Sequence, residues 1–444
     1  MFIYLDDPEI CRSAENLVTE QIQKKLDAIQ SAGGGELRIP AGRYLCASLS
    51  LPSNLVLSLE AGAEIVASEN IEDYYHITTQ SMAELSYRAL LYAKGKSNIK
   101  ICGKGLIEGQ DSKWFSQHAD DAGYRMPKVE RPRMLVLEGC DNVTLNDFTI
   151  QRSPMWTIHL VCCSNVAIDN VKVNNHLYLP NTDSIDIDSC QYVRIANCFL
   201  SAADDGVCIK TTRKKVQGCQ DTKHVTVTNC VIRSRGAAIK VGTETFGNVE
   251  SVLVSNISIF DSNRAIALVS RDGGNLRQMM FSNIIFESRL CVPHHWGKAE
   301  PIGISVRYRD PAIRPGNIEN ITFSNISGEC HGAISLYSEI EHAVSGIEFN
   351  GITLTQIHTD HDDFGYYDIR PPCNPDTPTG MGLDNSYKIN PETKKPFGVE
   401  IYKNGIPAIY SFGVTEFEVN NLKVIRENSD SNVWNKDNDI YIVK

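Results

Sequence analysis

Eight times along this chain an apolar–x–apolar–x–Asn–apolar–x–apolar pattern returns, and that period limits the fold more than any other feature. It reads VTLNDFTI at 143–150, VAIDNVKV at 166–173, VRIANCFL at 193–200 and VTVTNCVI at 225–232. It continues as VLVSNISI at 252–259, MMFSNIIF at 279–286, ITFSNISG at 321–328 and FEVNNLKV at 417–424. The turn position falls at Asp147, Asn170, Asn197, Asn229, Asn256, Asn283, Asn325 and Asn421, the first six spaced 23, 27, 32, 27 and 27 residues apart. Each copy supplies two short strands whose side chains alternate in and out around a polar kink. No copy has a helical period, and none can bury its apolar face alone. Stacking solves this: each strand pairs with its equivalent one turn along, so like residues form ladders, which predicts a parallel β-helix. Asparagine suits the kink because it tolerates left-handed backbone and hydrogen-bonds along a stack. Leucine-rich repeats share the period but need a leucine framework that is missing here.

The reading is an all-β, single-domain chain over 1–444, a right-handed solenoid with plugged ends, since an open end is an unpaired edge. NLVTEQIQKKLDAIQ (16–30) carries apolar residues at helical spacing before the glycines of SAGGGELRIPAGRYL, which predicts a capping helix. Residues 356–411 lose the repeat and form a long excursion folded on the solenoid's side. Fourteen cysteines are present. Cys198 and Cys230 follow the turn asparagine in an inward slot, so the thiols are expected reduced and packed rather than joined in a disulfide framework. There is no CxxC pair and no zinc spacing.

The net charge of −11 argues against nucleic acid and anionic membranes as partners. No run of about 18 apolar residues is present for a membrane helix. The first residues, MFIYLDDPEI, lack a basic leader, so the expected location is cytoplasmic, or periplasmic or secreted if a leader was removed. From Arg233 to Asp310 there are ten Lys/Arg against seven Asp/Glu, a place where an anionic ligand could settle.

The chemistry concentrates in NTDSIDIDSC (181–190) and ADDGVCIKT (203–211). Asp183 and Asp205 lie 22 residues apart, about one rung, and Asp204 stands beside Asp205. Carboxylates this close resist joint ionisation, so one tends to keep its proton near neutrality. Three uses remain open on the residues: a general acid/base set for glycoside cleavage, a calcium site as in polysaccharide lyases, or a solvated acidic ladder. Asp186 and Asp188 are expected to point elsewhere or to hold turns.

With SPMWTIHLVCCSNVAIDNVKV, RPRMLVLEGCDNVTL, GLIEGQDSKWF and GGGELRIPAGRYL beside them, these segments resemble the polygalacturonase-type pectin hydrolases, glycoside hydrolase family 28. The resemblance spans roughly 16 to 345. It implies a right-handed β-helix and hydrolysis by single displacement with inversion, without a cofactor. It implies Asp204 as general acid, with Asp183 and Asp205 positioning and activating water. An inverting pair stands about 6.5–9.5 Å apart. The substrate class implied is pectic poly- or oligosaccharide, of galacturonan or rhamnogalacturonan type, with exo action expected. The rivals are a calcium-dependent lyase or epimerase on the same scaffold, and a non-catalytic carbohydrate-binding β-helix.

Two departures from the family pattern bear on substrate recognition. Where the family has G-H-G, this chain has Ser234-Arg235-Gly236. Where R-I-K is expected, NRAIALVSRDGG offers no lysine. Arg235, Lys240, Arg264 and Arg271 are therefore candidates for a substitute carboxylate clamp; the alternative is a sugar without a carboxylate at that subsite, such as rhamnose. Further substrate-binding candidates are His159, Tyr337, and Trp296 with Lys298 on the loop VPHHWGKAEPI, which also carries His294 and His295. Each has a plain alternative: His159 as a satisfied rung histidine, the loop as solvated surface.

Overall fold

All eight turn positions read from the repeat are left-handed, with φ between 53° and 74° at Asp147, Asn170, Asn197, Asn229, Asn256, Asn283, Asn325 and Asn421. The computed structural model that shows this describes residues 1–8, 10–84, 86–119, 125–216, 218–291, 296–371, 388–428 and 431–443. The asparagine amides run up the stack: Asn170 Nδ2 donates to Asp147 Oδ1 at 2.8 Å, and Asn283 Nδ2 to Asn256 Oδ1 at 3.2 Å. A second left-handed column, Asn54–Asn98–Asn142, was not read from the repeat; its amides also link, at 2.7 and 2.8 Å.

The chain divides into two compact units, one of Met1–Asp204 with Lys214–Cys219 and Val225–Cys230, the other of Asp205–Arg213, Gln220–His224 and Val231–Lys444. In the first, the strands Ala89–Lys94, Arg133–Glu138, Ile158–Val161 and Ile185–Asp188 stack in parallel, Leu91 on Leu135 on Ile158 on Ile185. Around the rung, Ser97–Gly103, Asp141–Asn146, Ser164–Asp169 and Gln191–Ala196 pair likewise, with Ile99, Val143, Val166 and Val193 in one buried column. In the second unit the two half-strands fuse across the asparagine kink into Val249–Ser262, Leu276–Ser288, Ile318–Cys330 and Val344–Gln356. Phe281, Phe323 and Phe349 stack there at 5.1 and 5.2 Å between centroids. Val207–Thr211, Ala237–Thr245, Arg264–Ser270, Ile302–Val306 and Ile334–Ser338 form its other parallel ladder. This is β-helix stacking, as the period requires.

The expected helix is Thr19–Ser31, burying Ile22, Leu26 and Ile29. It starts later than 16 because Ser13–Leu17 is a strand paired with Gly42–Cys46, where sheet pairing overrides helical propensity. The excursion carries a small antiparallel pair, Tyr366–Asp368 with Val399–Ile401, seated on an aromatic cluster of Tyr367, Tyr402, Tyr410 and Trp434.

The cysteine reading needs one correction. Eleven described cysteines are free thiols, but Cys162 and Cys219 form a disulfide. Cys162 is half-buried at a left-handed turn (φ 53°), unlike the buried Cys163 beside it and the buried Cys198 and Cys230 of the slot after the turn asparagine. No helix among the described residues is long and apolar enough to cross a membrane.

Candidate active site

In the first unit, the segment before the strand Ile185–Asp188 places the acids. Asn181 is left-handed (φ 59°), and its backbone N–H points at Asp204 Oδ2, 3.3 Å away. Arg131 holds the Asn181 side chain at 2.9 Å while also donating to the carbonyls of Pro154 and Pro180. The Thr182 hydroxyl donates to Leu179 O and accepts the N–H of Ala203, the residue before Asp204. So the first two residues of the NTD segment hold the next rung's turn in place, and the third supplies the acid. Asp183 is buried, Asp204 half-buried, and they present oxygens within 4.8 Å of each other. One water within hydrogen-bond distance of both oxygens can span a gap of that size. Burial lowers Arg131, to about 10, against the pull of Glu84, Asp183 and Asp204. Arg131, Asn181 and Thr182 stand in the RPRMLVLEGCDNVTL and NTDSIDIDSC segments, but nothing in their sequence pattern marks these roles.

The outward face of that strand is charged yet covered. Asp186 and Asp188, expected to point elsewhere or to hold turns, are fully buried. Lys214, itself 1% exposed, reaches Asp188 Oδ1 at 2.5 Å, and His159 Nε2 faces Oδ2 at 3.6 Å. Arg133 NH1 lies 3.0 Å from His159 Nδ1. A guanidinium only donates, so Nδ1 accepts and the ring is the neutral Nε2–H tautomer. Burial pushes the Asp188 carboxyl up, but Lys214 and His159 outweigh it and hold it below the ordinary carboxylate range. His159, offered as a substrate contact, is 0% exposed and edge-on to Trp156, so it lies inside the rung and presents no surface to a substrate.

In the second unit, Asp205 is buried, with Oδ1 accepting from Ala237 N at 3.0 Å and Oδ2 from Lys240 Nζ at 2.7 Å. Lys240 thus meets a carboxylate of the protein. Its ammonium also lies 5.6 Å from the centre of the half-buried Trp296 ring, which Arg370 approaches at 5.8 Å. Glu244, on the same strand face as Lys240, contacts Arg309 at 3.3 Å and Lys210 at 3.9 Å. Burial raises its carboxyl, but Lys210, Arg309 and Lys240 bring the net shift below the usual value.

The other clamp candidates are committed elsewhere. Arg264 pairs with Glu300 at 3.1 Å and donates to Asp368 O at 2.8 Å. Arg271 is fully buried and donates to the carbonyls of Ser305, Ile369, Arg370 and Pro371. These two arginines fasten the excursion to the strand Arg264–Ser270, so a role for Arg271 on substrate is corrected to an anchoring one: nothing of it reaches solvent. Lys298 is likewise buried, paired with Asp363 at 3.0 Å, and burial lowers its pKa. Arg235 shares Asp261 with Arg233, at 3.0 and 2.8 Å. The basic excess of Arg233 to Asp310 is therefore spent within the fold. Tyr337 is half-buried, stacked on Phe412 at 4.8 Å with Arg307 over its ring. His294 and His295 lie outside the described residues.

The sequence matches the model of the glycosyl hydrolases family 28 over residues 31–363. A probable polygalacturonase of Vitis vinifera is 24% identical over 343 residues, 70% of this chain and 69% of that one. The solved exopolygalacturonase of Thermotoga maritima superposes with a TM-score of 0.66 at 21% identity, over 80% of this chain and 87% of its own. The Yersinia enterocolitica family 28 exopolygalacturonase gives 0.70 at 17% identity, over 100% and 77%. The fold is thus the right-handed parallel β-helix.

Proposed function

This chain belongs to the glycosyl hydrolases family 28, a glycoside hydrolase, and on that premise we propose that it cleaves pectin-derived saccharide of galacturonan or rhamnogalacturonan type from chain ends. The observation that carries this reading is the pair Asp183 and Asp204, with oxygens within 4.8 Å, one buried and one half-open. Two carboxyls this close favour keeping one proton between them. Asp204, the more open of the two, delivers that proton to the glycosidic oxygen as the bond to the anomeric carbon breaks. Asp183 and Asp205 orient and deprotonate a water, which attacks the same carbon from the opposite face. The product then carries the inverted anomeric configuration, and the proton taken from water restores the acid for the next turn.

Action at chain ends is supported by the Thermotoga and Yersinia exopolygalacturonases, to which the fold is similar. The decisive experiment is Asp204→Asn assayed on oligogalacturonides and rhamnogalacturonan oligomers. Turnover should vanish while saccharide binding and the melting temperature stay. Near-normal turnover, or an ultraviolet-absorbing unsaturated product from the native chain, overturns hydrolysis. Proton NMR of the first product reads the anomer, and early release of mixed chain lengths would overturn exo action.

A further inference from the structure

The pairing of Lys240 with Asp205 points to a role for this lysine that is distinct from gripping substrate. In the second unit Val207 lies on Ile239 and Cys208 on Lys240, so the lysine starts three residues beyond Asp205 and must reach back toward the turn. There it meets Oδ2 at 2.7 Å, while the Ala237 N–H takes Oδ1 at 3.0 Å. Both oxygens of the carboxylate are thereby engaged, which fixes its rotamer. The side chains are 14% and 3% exposed. A carboxylate so buried is costly without a counter-charge, and removing one member of such a pair is the expensive step. The indole of Trp296, whose carbonyl accepts from Asn263 Nδ2 at 2.7 Å, lies over the ammonium and limits its hydration. Glu244 stands four residues along the same face, and its carboxyl is lowered in part by Lys240. The ammonium is therefore already committed to a carboxylate of the protein. A substrate carboxylate would have to displace Asp205.

We propose that Lys240 is a positioning residue of the reaction, holding Asp205 correctly turned toward the water it activates, and that it is not part of a substrate clamp. The proposal rests on the reading of Asp205 as a water-activating group, and the test separates the two. Lys240→Met should lower kcat about 100-fold while KM stays within about threefold, and Lys240→Arg should recover most of kcat. A clamp would show the reverse, KM rising with kcat kept, and that result overturns the proposal, as does an unchanged kcat. In the Asp205→Asn background, Lys240→Met should cause no further loss of kcat; independent, multiplying losses overturn the link between the two residues. This comparison stays readable if Lys240→Met alone folds poorly, because Asp205→Asn removes the unpaired charge. Wild-type turnover by Asp205→Asn would instead overturn the role of Asp205 itself, a failure told apart by the silent aspartate.

Discussion

Replacing Lys214 by methionine should destabilise the protein severely, although Lys214 lies in a loop. Its ammonium is 1% exposed and meets Asp188, at 0% exposed, across 2.5 Å. Asp188 also faces the neutral imidazole of His159 and the Ser189 hydroxyl at 3.3 Å, and neither of these two carries a compensating charge. Lys214→Met leaves a buried carboxylate without its cation, a loss of about 3–5 kcal/mol. For a unit of this size that lowers the midpoint of thermal unfolding by on the order of 10 °C. Asp188→Asn combined with Lys214→Met removes both charges and should recover most of the loss. The sign with pH follows from the depressed carboxyl of Asp188. Its contribution is full above the unfolded value of about 3.9 and fades only as pH falls below that toward the folded value. In Lys214→Met, burial without the lysine raises the same carboxyl, so its protonation relieves the cost and the gap to the native chain should narrow already as pH falls from neutral into the mildly acid range. Calorimetry or urea unfolding of the four chains of this cycle reads the result. Native-like unfolding of Lys214→Met, or a double variant no better than the worse single one, refutes the reasoning.

Three other outcomes are expected. Reducing the Cys162–Cys219 disulfide, or Cys162→Ser, should cost up to about 4 kcal/mol for a closed loop of 57 residues, read as a lower unfolding midpoint in reductant. Asn98→Ala places a β-carbon residue without a side-chain amide at φ 58° and breaks the Asn54–Asn98–Asn142 column, a loss of about 1–2 kcal/mol, while Asn98→Gly should lose less; equal losses for both would refute the left-handed argument. Arg271→Met leaves the carbonyls of Ser305, Ile369 and Arg370 without that donor, so hydrogen exchange and proteolysis should rise in the excursion before the unit unfolds, and uniform exchange across the unit would contradict this.

What the sequence determined by itself is whatever repeats. A β-helix rung is satisfied by its neighbours above and below, so inward apolar residues, the kink asparagines and the packed thiols recur at a fixed period. The eight turn positions could be read to the residue for that reason, and so could the placing of Asp183 one rung from the Asp204–Asp205 pair. What carries no period was decided by the tertiary structure. Lys214 finds Asp188 from a loop, Arg264 finds Asp368 across 104 residues and Arg271 finds Ile369 across 98. A cation's worth depends on whether a carboxylate of the fold has already taken it, and that is set by loops and excursions folding back on the ladder. Sequence placed Arg235, Lys240, Arg264 and Arg271 near one another and left them all as possible clamps; only their partners assign Lys240 to Asp205 and the arginines to the fold itself.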